Sequence, residues 1–122
     1  MNPTANGAMA LPLPTIIQGG MGVGVSGWTL ARAVGKAGQM GVISGSMIDT
    51  VMVRRLQDGD VGGHIRRAID KFPIRDIATE AYEKYFRPDG KAADEPYKML
   101  PMWKKGASRA RKGINMLAAF VE

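Results

Sequence analysis

Apolar positions along the chain change their period near residue 46. Thr15-Ile16-Ile17-Gln18 is a short apolar run without polar alternation, the pattern of a strand buried on both faces. Residues 40–44 repeat it and end at Gly45. Between them lies a glycine-rich turn over residues 19–25, followed by Leu30, Ala33, Val34 and Ala37 at helical spacing. Ser26 is placed to cap that helix, and Gly38 to end it in the left-handed conformation. Strand, glycine loop, helix and strand within about thirty residues predict a parallel βαβ unit.

Beyond residue 46 the period is helical. Asp49 is placed to cap a helix running to Leu56, stopped by Asp58-Gly59-Asp60. Val61, Ile65, Ala68, Ile69 and Phe72 form one apolar stripe, and Ile74, Ile77, Ala78, Ala81, Tyr82 and Tyr85 another. A polar connector follows Arg87-Pro88-Asp89-Gly90, and Ile114, Leu117, Ala118 and Val121 share a face of a helix begun near Ser108. Phe120-Val121-Glu122 lies inside that pattern without a terminating signal. Two parallel strands also leave two open sheet edges. Both features predict the N-terminal portion of a larger domain: residues 1–13 a leader, 14–45 the βαβ unit, and 46–122 a helical segment.

Composition narrows the class. The chain is 122 residues long with 45% hydrophobic and 23% charged residues, the balance of a globular protein. No apolar run approaches the roughly 20 residues that span a bilayer, and the leader lacks the basic start of a secretory signal. Cysteine is absent, which excludes disulfides, thiolate metal sites and a cysteine nucleophile, and fits a cytoplasmic protein. The net charge is +6, concentrated in the second half. Lys104, Lys105, Arg109, Arg111 and Lys112 form its densest patch, but no nucleic-acid-reading module accompanies them. A basic helical interaction module without catalysis is the reading this patch supports, and the oligomeric state is left open.

The glycine loop carries the chemistry. Nine of the 16 glycines lie between residues 19 and 45. A strand end opening into Gln18-Gly19-Gly20-Met21-Gly22-Val23-Gly24-Val25-Ser26-Gly27 lets a flat ring or a phosphate reach main-chain amides without Cβ obstruction. Tight turns without a ligand are the plain structural alternative. Gly22, Gly24 and Gly27 also fit G-x-G-x-x-G and so invite a dinucleotide reading. That reading wants an acid at the end of the second strand, where Ser44-Gly45 stands.

Pro14-Thr15-Ile16-Ile17-Gln18-Gly19-Gly20-Met21-Gly22 resembles the first strand and loop of the nitronate monooxygenase family, formerly 2-nitropropane dioxygenases, an opening shared with flavin-dependent enoyl-ACP reductases. Leu30-Ala31-Arg32-Ala33-Val34 and Gly38-Gln39-Met40-Gly41-Val42-Ile43-Ser44-Gly45 resemble its first helix and second strand. Ala37-Gly38-Gln39-Met40-Gly41 is one glycine short of the family's usual A-G-G-x-G. Tyr85-Phe86-Arg87-Pro88-Asp89-Gly90-Lys91 resembles an insertion of one subgroup. The resemblance implies an α/β fold, the N-terminal portion of a TIM (β/α)8 barrel with a helical insertion, truncated. It implies FMN as cofactor and a small-molecule substrate, an alkyl nitronate oxidised with O₂ or, for the reductases, an enoyl thioester. By position, Gly20, Met21 and Gly22 would contact the isoalloxazine, and Ser44 and Gly45 would add secondary contacts. The family's phosphate loops and catalytic histidine come from later strands, so no catalytic residue is assigned here, and the chain alone is expected to be inactive and to bind FMN weakly or not at all.

The remaining chemistry-bearing residues have plainer readings. His64, the single histidine, sits beside an apolar stripe and matches no motif of the family, so it reads as a surface or interface residue. Asp70, Asp76, Glu80 and Glu83 stand beside Arg66, Arg67, Arg75 and Lys84 as solvated helix pairs. No set has metal-ligand spacing. The nine methionines fill core gaps, Met21 excepted. Tyr97, Met99, Met102 and Trp103 either form an apolar lid over a substrate pocket or cover a helix.

Overall fold

The computed structural model describes residues 12–102, 106 and 108–122. Five helices form among them: α1 (Trp28–Lys36), α2 (Ile48–Gln57), α3 (His64–Lys71), α4 (Arg75–Tyr85) and α5 (Arg109–Val121). No strand forms among the described residues, so the expected α/β barrel portion is overturned. The two expected strands meet at a single parallel bridge, Ile17 to Met40. Far from being buried, Ile16, Ile17 and Met40 are 61%, 62% and 45% exposed, and α1 buries no residue. A parallel pair needs helices over both faces, and here Ile16, Ile17 and Met40 are left largely uncovered.

The core belongs to α2 to α5. Each contributes one apolar stripe: Met52, Val53 and Leu56; Ile65 and Ile69; Ala78, Ala81 and Tyr85; Ile114, Leu117, Ala118 and Val121. Leu56 and Leu117 are wholly buried, each worth about 1.5–3 kcal/mol of transfer free energy. α5 packs against α2, α3 and α4, and its small residue Gly113 lets the Ile77 side chain come close. Val61, expected in the stripe, is exposed, because α3 begins only at His64. Tyr82 also turns outward and stacks on Phe86.

Two acids, Asp49, expected as a cap, and Asp60, expected in a turn, are buried. Asp49 was expected to cap α2, but Met47 holds that position and Asp49 lies buried in the first turn. Its Oδ2 accepts from Arg111 Nε at 2.9 Å, and its Oδ1 accepts from the Thr50 amide at 2.7 Å. Arg111 also donates to the Pro101 carbonyl, so one ion pair joins α2, α5 and the connector before α5. Asp60, at φ 46°, is equally buried. It accepts from the amides of Ile65 and Arg66 at 3.1 and 3.0 Å and from Arg66 Nε at 3.1 Å, satisfying the first turn of α3. The surface pairing expected on α3 and α4 is sparser. Arg75 donates to the carbonyls of Ile69 and Phe72, and Asp76 pairs only loosely with Arg109, at 3.8 Å.

The connector between α4 and α5 is held by Gln57 rather than by apolar cover. Gln57 is buried, donates to the carbonyls of Val53 and Lys98, and accepts from the Lys98 amide at 2.7 Å. Tyr97 lies beside it, and its hydroxyl donates to the Asp58 carboxylate at 2.8 and 3.0 Å. Met99 and Met102 are 65% and 84% exposed and border a recess of about 300 Å³ with Thr50, Leu100 and Arg111; Trp103 lies outside the described residues. Among the described methionines, Met52 is the one in the core, against the expectation that they fill it.

Two outcomes follow from these contacts. Asp49→Asn leaves a buried guanidinium without its counter-charge and should lower the unfolding free energy by about 3 kcal/mol. A urea midpoint equal to that of the unmodified chain would show the pair to be idle. The bond to Asp58, aided by partial desolvation, raises the Tyr97 hydroxyl above its ordinary value. The raised value means that the contact is complete below the ordinary tyrosine range near pH 10 and is lost as pH rises through the higher folded value. Tyrosinate absorbance, with Tyr97→Phe as the blank, should therefore develop at higher pH in the unmodified chain than in Asp58→Asn.

Candidate functional site

The glycine loop is organised by hydrogen bonds that start at the parallel bridge. Met40 donates to the Ile16 carbonyl at 3.1 Å, and Gln18 donates to the Met40 carbonyl at 3.0 Å. Two glutamine side chains lengthen this short ladder. The Ile16 amide donates to Gln39 Oε1, and Gln18 uses both ends of its amide on the Val42 backbone, at 3.0 and 3.3 Å. The side chains thus supply pairing that the backbone does not.

At the far end α1 closes in a left-handed turn. Gly38 adopts φ 77°, its amide donates to the Gly35 carbonyl, and the Gln39 amide reaches back to the Val34 carbonyl. The chain then returns beneath α1 so closely that Gly41 has no room for a side chain. A Cβ there would lie 2.2 Å from the Ala31 carbonyl oxygen.

Ser26 was expected to cap α1, but Gly27 takes that position without a side-chain bond. Ser26 is buried, and its Oγ accepts from the Met21 amide at 2.9 Å. Its carbonyl accepts from the Ser44 amide at 2.8 Å. It is the one hydroxyl between Thr15 and Thr29 and ties together the two segments that hold the candidate residues. Gly20, Met21 and Gly22 lie on one side of it, Ser44 and Gly45 on the other. Met21 is 52% exposed, Ser44 is half-buried, and no atom lies within 4 Å of a Cβ built on Gly19 or Gly45. The amides of Gly19, Gly20, Gly22, Val23 and Gly24 donate to no acceptor among the described residues. What the loop offers is therefore unspent backbone donors beside open space.

The N-terminus of α1, where a dinucleotide phosphate would sit, already holds an anion. Glu122 Oε2 accepts from the Trp28 amide at 2.8 Å, and Oε1 accepts from Arg55 at 3.1 Å. A recess of about 350 Å³ lies there, bordered by Gly24, Gly27, Trp28, Arg55 and Glu122. His64, with no role found from the sequence, stacks on Trp28 with ring centroids 4.0 Å apart and 9° between planes. Its Nε2–H donates to the Val121 carbonyl at 2.8 Å.

Of the basic patch, Arg109 and Lys112 are exposed on α5. Arg111 is buried against Asp49, and Lys104 and Lys105 lie outside the described residues. No group of three or more His, Asp or Glu among the described residues could hold a metal ion. No helix among them is long and apolar enough to cross a membrane. Set against models of known protein families, curated proteins and solved structures, the chain matches none.

The Gly41 contact is directly testable. Gly41→Ala must separate residue 41 from α1, so hydrogen exchange at the Gln18 and Met40 amides should accelerate while the amides of α2 to α5 keep their protection. Unchanged exchange at both bridge amides would show that α1 does not press on this turn.

Proposed function

We propose that this chain supplies the flavin-facing loop of an FMN-dependent oxidoreductase of the nitronate monooxygenase kind, acting in the cytoplasm on a small alkyl nitronate. The observation that carries the reading is the set of unspent amides of Gly19, Gly20, Gly22, Val23 and Gly24, gathered by Ser26 beside the open positions at Gly19 and Gly45. A flat aromatic ring with carbonyl oxygens needs that combination: donors that do not have to be desolvated from other partners, and no Cβ in the way. The exposed Met21 side chain adds polarizable apolar surface next to those donors. This reading rests on the loop alone and on its resemblance to the family, with no barrel behind it.

The division of labour is as follows. FMN, when bound, supplies the electron transfer between nitronate and O₂. The amides of Gly20 and Gly22 would hold the ring, the Met21 amide staying on Ser26 Oγ with its side chain beside them; Ser44 and Gly45 would border it, and Ser26 fixes the distance between the two segments. None of these side chains moves a proton. His64 is committed to Trp28 and Val121, so it does not serve as the base. A dinucleotide fits less well, because Glu122 fills the helix terminus that a pyrophosphate requires.

A loop of backbone donors without a phosphate clamp gives weak binding, with a dissociation constant on the order of 1 mM. Titration of the isotope-labelled chain with FMN should shift the amide resonances of residues 19–24, 44 and 45 and leave those of α4 unmoved. Ser26→Ala should weaken the response severalfold. Shifts confined to the basic face of α5, or none at millimolar FMN, would remove the flavin reading; the first result would favour the basic interaction module instead.

A further inference from the structure

We infer that Trp28, His64 and Glu122 form a latch that fixes the glycine loop to the helical core, with His64 and Glu122 acting as positioning residues for whatever the loop binds. The loop's own side chains give it no apolar anchor; Ile43, packed against the core, reaches it only through the bond from the Ser44 amide to the Ser26 carbonyl. α1, which continues it, buries no residue, and the neighbouring Ile16, Ile17, Met21 and Val25 are all more than half exposed. A segment without burial opens locally at low free-energy cost, so its order must come from a few specific contacts.

Those contacts close a ring. The Trp28 indole stacks on the His64 imidazole, at the first position of α3. His64 Nε2 donates to the carbonyl of Val121, whose side chain is buried in the core. The next residue, Glu122, returns its carboxylate to the Trp28 amide. Arg55, on α2, holds the other carboxylate oxygen and lies 3.7 Å from where a Gly24 Cβ would stand. Three core helices therefore meet at the residue that follows the loop, and each bond helps to place the next. Glu122 is the most economical part: its side chain is only 9% exposed, and it satisfies both a helix-terminal donor and a guanidinium.

The latch itself needs no ligand; its effect on FMN rests on the flavin reading above. The test therefore has two readouts. Hydrogen exchange is measured on the unmodified chain and on His64→Ala, His64→Phe and Glu122→Gln. In His64→Ala and Glu122→Gln the amides of Met21, Val25 and Ser26 should exchange about tenfold faster, the change expected when roughly one hydrogen bond is lost from a locally opening unit. The core amides of α2 to α5 should keep their rates. His64→Phe keeps an aromatic partner for Trp28 and should retain part of the protection. Should His64→Ala fail to fold, Glu122→Gln carries the same comparison, because Glu122 lies outside the apolar core.

Loop protection unchanged in both variants, or loop and core accelerating by the same factor, overturns the latch. FMN titration of the same proteins is the second readout: faster loop exchange should coincide with a several-fold weaker FMN response. Faster exchange in a chain whose unmodified form shows no FMN response sinks the flavin reading and leaves the latch standing.

Discussion

The buried pair between Asp49 and Arg111 is the constraint on which the arrangement of the helices turns. A guanidinium in the first turn of α5 is opposed by the helix dipole, whereas a carboxylate in the first turn of α2 is favoured by it. Bringing the two together at 2.9 Å offsets the unfavourable placement and fixes the mutual position of two helix starts. The same guanidinium reaches the Pro101 carbonyl, so the connector is drawn in as well. An apolar core specifies that helices pack, but leaves their axial register loosely defined; a buried charge pair defines it. Gln57 acts likewise at the other end of α2 by pairing with both backbone groups of Lys98.

The first part of the chain depends on that frame without belonging to it. Residues 14–45 have the sequence of a layer meant to be covered, yet Ile16, Ile17, Met21, Val25 and Met40 are largely in solvent and the parallel pairing is one bridge long. Side chains stand in where backbone pairing stops: Gln18 and Gln39 extend the ladder, Ser26 joins Met21 to Ser44, and Glu122 serves the start of α1. Each is a short polar contact with specific geometry, and together they place the loop without a hydrophobic core. Such a loop can present unspent donors because its order does not consume them.

Legibility in the sequence follows the range of the interaction. The stripes of α3 to α5 were readable because an amphipathic helix repeats its signal every turn, and the start of α5 near Ser108 because the cap's partner lies three residues away, at Arg111. Gly38 was readable for the same local reason. Asp49 was misread because an acid before an apolar run looks like a cap whether or not an arginine 62 residues later claims it. Ser26 was misread in the same way; its isolation as a hydroxyl among glycines was the available signal. The strands failed for a different reason. An apolar run states that a segment can be buried, and burial is decided by what covers it.

The same distinction bears on which cofactor the loop can take. Gly22, Gly24 and Gly27 satisfy a dinucleotide spacing, and spacing alone cannot separate a ligand-free helix terminus from one already used. Glu122, 94 residues from Trp28, makes the difference, since a carboxylate on the first amide of α1 and on Arg55 supplies the charge that a pyrophosphate would otherwise bring. A phosphate entering there must displace an intramolecular anion whose effective concentration is high. The amides of Gly19, Gly20, Gly22, Val23 and Gly24 face no such competitor among the described residues. On the flavin reading proposed above, the flat, weakly charged part of the cofactor would therefore meet less resistance at the loop than a charged part would meet at the helix.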